Sequence, residues 1–273
     1  MWDPGTYLRY AAERGRPFAE LLARVGATSP RRVVDLGCGP GVLTAGLADR
    51  WPEARVEGVD SSSSMIERAD SLGAPVSFRV ADVREWTPEP DTDVVISHAT
   101  LQWVRGHEAL LRDWVAALPG GAWLAFGVPG NFDAPSHRLL RSVARSAAWR
   151  GRLAAVELRD APVLDAAGYA SLLRSPACEV DAWETTYVHV LPVGDDVHPV
   201  LAWLSGTALR PVRAALDDTE WAAFTADLGG ELAKAYPVDA TGVLFPFRRI
   251  FVVARAGGRP GAVAVDDRPG PTP

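Results

Sequence analysis

Two acids and three glycines carry the clearest chemistry in the sequence. The stretch "VVDLGCGPG", residues 33–41, sets Gly37, Gly39 and Gly41 straight after a branched apolar run. Glycines there tolerate positive φ and let backbone amides approach a ligand. Asp60 follows about twenty residues later, at the end of "ARVEGVD", where an acid holds ribose hydroxyls. Asp82 closes "PVSFRVAD", where a carboxylate accepts from an adenine amino group. Taken singly, each has a plainer reading: a tight turn for the glycines, a helix N-cap for the acids. Found together at consecutive strand ends, they point to a bound nucleoside. His98 and His107, in "SHATLQWVRGHEALL", are the candidate bases.

Periodicity supplies the elements that must position these groups. Strands are predicted at 31–37, 54–60, 75–82, 92–99 and 122–130, alternating with helices at 40–51, 61–73 and 107–121. The helix at 61–73 has serines to cap its start and Gly73 to end it. Such alternation predicts an α/β fold with a mostly parallel sheet covered on both faces. Ligands of such sheets bind at the carboxyl ends of the strands, where the glycine turn lies. Later strands are predicted at 179–191 and 246–256, with helical insertions at 131–175 and 196–244. One domain is expected over 1–256, with 30–130 as its nucleoside-binding core. The Gly/Pro-rich tail, 257–273, reads as disordered.

Of 273 residues, 48% are hydrophobic and 23% charged, the balance of a soluble globular protein. A net charge of −6 gives no global basic field for nucleic acid. The opening "MWDPGTYLRY" lacks the charged-then-apolar pattern of a secretory signal, and no run of about 18 apolar residues would span a membrane. Cys38 and Cys178 make no metal-type pair. The expectation is a cytoplasmic monomer or weak homodimer, with no metal, membrane or nucleic-acid partner.

The glycine spacing bears on the nucleoside. A dinucleotide loop wants G-x-G-x-x-G, but Val42 stands three after Gly39. The loop instead resembles the first motif of the class I SAM-dependent methyltransferases, Rossmann-like folds with a seven-stranded sheet. That resemblance implies S-adenosyl-L-methionine (SAM) as cofactor, with Asp35 near its amino group. "VEGVDSSSSMIERA" resembles the second motif, implying Asp60 on the ribose with Ser61 beside it and Met65 against the adenine. "VADVREW" resembles the third, implying Asp82 and the Val83 amide at the adenine edge. His98, at the strand-four exit, falls where the cofactor meets its acceptor.

Stretches along nearly the whole chain resemble the trans-aconitate methyltransferase family. Among them are "WDPGTYLRYAAERGRP", "ATLQWV", "CEVDAWETTYVHVLP", "GTALRP" and "FPFRRIFVVA". This implies methylation of a carboxylate of a tricarboxylate to a monomethyl ester. Two positions depart from the family pattern: His98 replaces an Asn-type residue, and Ala208 a more common glycine. An acceptor carrying about three negative charges needs local positive charge, which Arg supplies bidentately. Arg210, Arg248 and Arg249 are the candidates; adjacency puts the last two on opposite faces, so one of them faces the cleft. Tyr7 and Tyr10 belong to a segment that could close as a lid, and Trp103 lies in the strand-four loop. A carboxylate is already ionised and needs no base. A hydroxyl acceptor would need one, His98 or His107, and a SAM-binding protein without activity is a further alternative.

Overall fold

The computed structural model describes residues 11–160, 163–194 and 197–257. Tyr7, Tyr10 and the tail beyond Gly257 lie outside them. β1 (Arg32–Leu36) is buried along its whole length, as a strand covered on both faces must be. β2 (Arg55–Asp60), β3 (Ser77–Val80), β4 (Thr92–His98) and β5 (Trp123–Pro129) run parallel to it. β6 (Cys178–Leu191) and β7 (Val243–Ala256) pair antiparallel along their full length, and β7 also runs antiparallel to β5. The sheet has seven strands in the order β3-β2-β1-β4-β5-β7-β6. The reversal of order between β1 and β4 opens a crevice at the carboxyl ends of the strands.

Helix α1 (Ala11–Leu22) and α2 (Val42–Arg50) cover one face, burying Phe18, Leu21 and Leu47 against Val33, Ile96 and Phe251. α3 (Ser63–Asp70) packs beside β2 and β3. α4 (His107–Ala117) covers the other face through Leu111 and Trp114. α5 (Pro135–Ala144) leaves the sheet, whereas α6 (Ala166–Leu173) returns to it beside α4. The insertion expected at 131–175 therefore divides: Tyr169 and Leu173 of α6 are core residues, with Tyr169 edge-on to Phe126. α7 (Pro199–Ser205), α8 (Arg210–Ala215) and α9 (Asp218–Ala235) join α5 in a second apolar cluster. A capping box, Asp217 with Glu220, fixes the start of α9.

The long strands carry that helical cluster. β6 and β7 each have 14 residues, and β5 pairs only with Arg249–Arg255 of β7. The extension of β7 beyond β5 presents Val243, Phe245 and Phe247 to α7 and α9. The strand predicted from 246 begins three residues earlier, at Val243, and so takes in Pro246. Proline is tolerated here because this part of β7 pairs with β6 alone. β3 is shorter than predicted and leaves Asp82 beyond the strand. Gly257 still donates to Ala177 O at 2.7 Å, so order continues one residue into the expected tail. Among the described residues no helix is long and apolar enough to cross a membrane.

Candidate active site

The turn after β1 is shaped by steric need. Gly37, Gly39 and Gly41 have φ of 83°, 55° and 77°. A Cβ on Gly37 would stand 2.1 Å from Thr100 Oγ1, and one on Gly41 2.7 Å from Ala69 Cβ. The amides of Gly37 and Cys38 donate to Val59 O, binding the turn to the end of β2. No side chain caps α2, which leaves the amides of its first turn to a ligand.

Asp60 ends β2 and stays partly exposed. Its two oxygens accept from Gly39 N and Ser62 N, both at 2.9 Å. It thus fixes the loop and the entry to α3, and each oxygen keeps a lone pair for a further donor. Ser61 is exposed and Met65 partly buried on this rim. Ser62 is the N-cap of α3, without the side-chain cap bond the sequence led us to expect. Asp82 is held by Arg84 through its amide at 2.9 Å and its guanidinium, which draws its pKa down to about 2. Arg84 is mostly exposed, so a ligand could displace that contact cheaply. Val83 is buried in the core and fixes its own amide at the rim.

Asp35 lies beneath the loop, 3% exposed, and Thr44 Oγ1 donates to its Oδ2 at 2.6 Å. Burial raises its pKa to about 6, against the Thr44 bond and with help from the Asp60 charge. A buried carboxylate in this state gains from a cationic partner. Thr44, nine residues on in α2, is invisible to motif reading because only the helix turn brings it under Asp35.

The strand-four exit is strained and tied down. Ala99 has φ of 57°, unusual for a residue with a side chain. Gln102 Nε2 donates to Ala99 O at 2.6 Å, and Thr100 Oγ1 to Gly37 O at 3.2 Å. Trp103 is 55% exposed, with the Arg159 guanidinium over its ring. His98 ends β4 beside Gly127, where a Cβ would come within 2.8 Å of its Nδ1. Its ring stands edge-on to Phe18 of α1, and burial with the nearby Arg249 charge holds its pKa well below the usual value.

The candidate arginines separate. Arg249 is 6% exposed, with its guanidinium over Phe247 and its field reaching both His98 and Tyr187. Arg248 points the other way, donating to Gly130 O at 2.7 Å and Glu184 at 3.2 Å. Arg210 is the exposed first residue of α8. His107 is corrected as a candidate base: it is 1% exposed, with its nitrogens at 3.1 Å from Val104 O and 2.7 Å from Tyr169 OH. It joins α4 to α6, with both ring nitrogens engaged. Tyr187, missed in the sequence, donates to Glu20 at 2.6 Å and ties α1 to β6.

A family model described as a methyltransferase domain matches residues 33–121. The trans-aconitate 2-methyltransferase of Mycobacterium sp. (strain KMS) is 56% identical over 259 residues, 94% of this chain and 100% of that protein. This chain belongs to the trans-aconitate 2-methyltransferase family. The Mycolicibacterium gilvum member is 57% identical over 93% of this chain and 99% of its own length. That of Streptomyces coelicolor is 52% identical over 93% and 86%. Among solved structures, YcgJ from Bacillus subtilis shares the fold at 12% identity, with a TM-score of 0.56 over 89% of this chain and 99% of its own. Likeness to the trans-aconitate 2-methyltransferases extends well beyond residue 121, the end of the general methyltransferase match, into β6, β7 and the helices they carry.

Within this family member, Asp60→Ala should weaken S-adenosylhomocysteine binding by about 1.5–3 kcal/mol, the scale of a lost hydrogen bond to a charged group. The variant should keep its fold, since the residue is partly exposed. Calorimetry checks this, and an unchanged affinity would remove Asp60 from the nucleoside site.

Proposed function

We propose that this chain transfers the methyl group of SAM to a carboxylate of trans-aconitate, giving a monomethyl ester and S-adenosylhomocysteine. The observation that carries the reading is the identity of 56% across 94% of the chain, acceptor-side elements included. The residues fit SAM: the glycine turn offers backbone amides without side chains, Asp60 can accept from ribose hydroxyls, and buried Asp35 favours the ammonium group. When bound, SAM supplies an electrophilic methyl carbon whose bond to sulfur breaks, with its electron pair, as the new bond to oxygen forms.

The protein's part is then binding and alignment. An acceptor carboxylate is ionised at neutral pH and gives up no proton, so no base is required. Arg249 brings buried positive charge to the carboxyl ends of the strands, which a polyanionic acceptor needs in a protein of net charge −6. Holding acceptor oxygen, methyl carbon and sulfur in line can contribute roughly 7–11 kcal/mol. A net charge of −6 fits an enzyme acting on free small molecules rather than on nucleic acid.

Incubation with methyl-labelled SAM and a panel of acids and phenols, with EDTA throughout, tests the reading. Label should pass to trans-aconitate as a base-labile ester. Transfer to a phenol alone, or activity restored only by Mg²⁺, would overturn it.

A further inference from the structure

Buried polar groups in folded proteins nearly always have hydrogen-bond partners. His98 breaks that rule at the place where chemistry is expected. Both ring nitrogens are shut off from solvent, and neither has a partner among the described residues. The position is built rather than accidental. Gly127, directly opposite on β5, leaves the space the imidazole fills. Phe18 of α1 holds the ring edge-on from the other side. Arg249 on β7 is the charged group whose field reaches it, and it disfavours a second cation.

We propose that His98 is the neutral hydrogen-bond donor that orients the reacting carboxylate of the acceptor, while Arg249 anchors a carboxylate that does not react. This deepens the carboxylate-transfer reading and rests on it. The chemistry favours such a division. A carboxylate clamped on both oxygens by a cation is a poorer nucleophile, since the charge needed for attack is held by the clamp. A neutral N–H on one oxygen fixes the plane of the group and leaves the other oxygen free to attack. The methyl carbon forms its bond to that oxygen as its bond to sulfur breaks with the electron pair left on sulfur. No proton is exchanged with His98 at any point, which separates this role from that of a general base.

The experiment compares the unaltered enzyme with His98→Ala, His98→Asn and His98→Gln. His98→Ala should lower kcat by about tenfold to a hundredfold, with KM for trans-aconitate and affinity for S-adenosylhomocysteine each within about threefold. One of the amide variants, which keep an N–H donor, should recover much of the loss. The kcat of the unaltered enzyme should show no histidine titration between pH 6 and 8. In nitrogen-resolved NMR of the five histidines, the signal that His98→Gln removes should move when trans-aconitate is added to the homocysteine complex. Retained kcat in His98→Ala overturns the proposal. So does a fall in cofactor affinity alone, or a kcat that titrates with a histidine only when His98 is present. Failure of the unaltered enzyme to use trans-aconitate is a separate result, and it sinks the carboxylate-transfer reading and this proposal together.

Discussion

Replacing Asp35 by Asn is expected to raise the melting temperature while weakening S-adenosylhomocysteine binding at least about tenfold. Both effects have one cause. The Asp35 carboxyl titrates at about 6 in the folded chain, against a reference value of 3.8, mainly because it is buried. Between those values the folded state binds the proton more tightly than the unfolded state. This group's contribution to stability is therefore greatest below the unfolded pKa and is lost as pH rises through about 6. At neutral pH the ionised group costs about 3 kcal/mol relative to the protonated one. Asparagine removes that charge and still accepts from Thr44. A gain of several degrees is expected for a domain of this size. In the proposed binding mode the ligand's ammonium pairs with this carboxylate, so the affinity of the unaltered protein should fall as pH drops through 6, and that of Asp35→Asn should stay level there. Scanning calorimetry and titration calorimetry at pH 5 and 7.5 separate the two effects. A variant less stable than its parent, with unchanged affinity, would show that Asp35 is a structural residue.

What the sequence makes legible is what local spacing determines. The glycine turn, Asp35 and Asp60 can be read because a strand, a turn and a following strand place them within thirty residues of one another. Their steric reason could not be read: Gly37 must lack a side chain because Thr100, 63 residues on, occupies the space. His107 and His98 look alike in sequence as candidate bases, and distant contacts divide them. Tyr169 satisfies the first from α6, whereas Phe18 and Gly127 box in the second without offering a partner. Alternation says that Arg248 and Arg249 face opposite ways but is silent on which faces inward. That depends on the register of β7 against β5, where Pro129 pairs with Arg249, and on α1 covering the same face. Long-range packing of this kind has no signature in a single sequence.

That register makes the arginine pair a sharp test of the acceptor side. Arg249→Gln should lower kcat/KM for trans-aconitate about a hundredfold, since a shielded charge-assisted pair contributes about 1.5–3 kcal/mol. Most of the loss should appear in KM, because an anchor holds ground and transition states alike. Arg249→Lys should recover only part of it, for an ammonium cannot reproduce the planar guanidinium fork. Affinity for S-adenosylhomocysteine should stay within about threefold, since a lost contact made only to the acceptor leaves cofactor binding intact. Arg248→Gln should behave differently. It removes contacts to Gly130 O and Glu184 from a side chain 36% exposed, so turnover should change less than about threefold. Arg248 and Arg249 are neighbours in sequence and alike in charge, so the contrast isolates direction from charge. If Arg248→Gln were the damaging change and Arg249→Gln the silent one, the acceptor would have to lie on the α4 and α6 face of the sheet, and the buried guanidinium would serve packing alone.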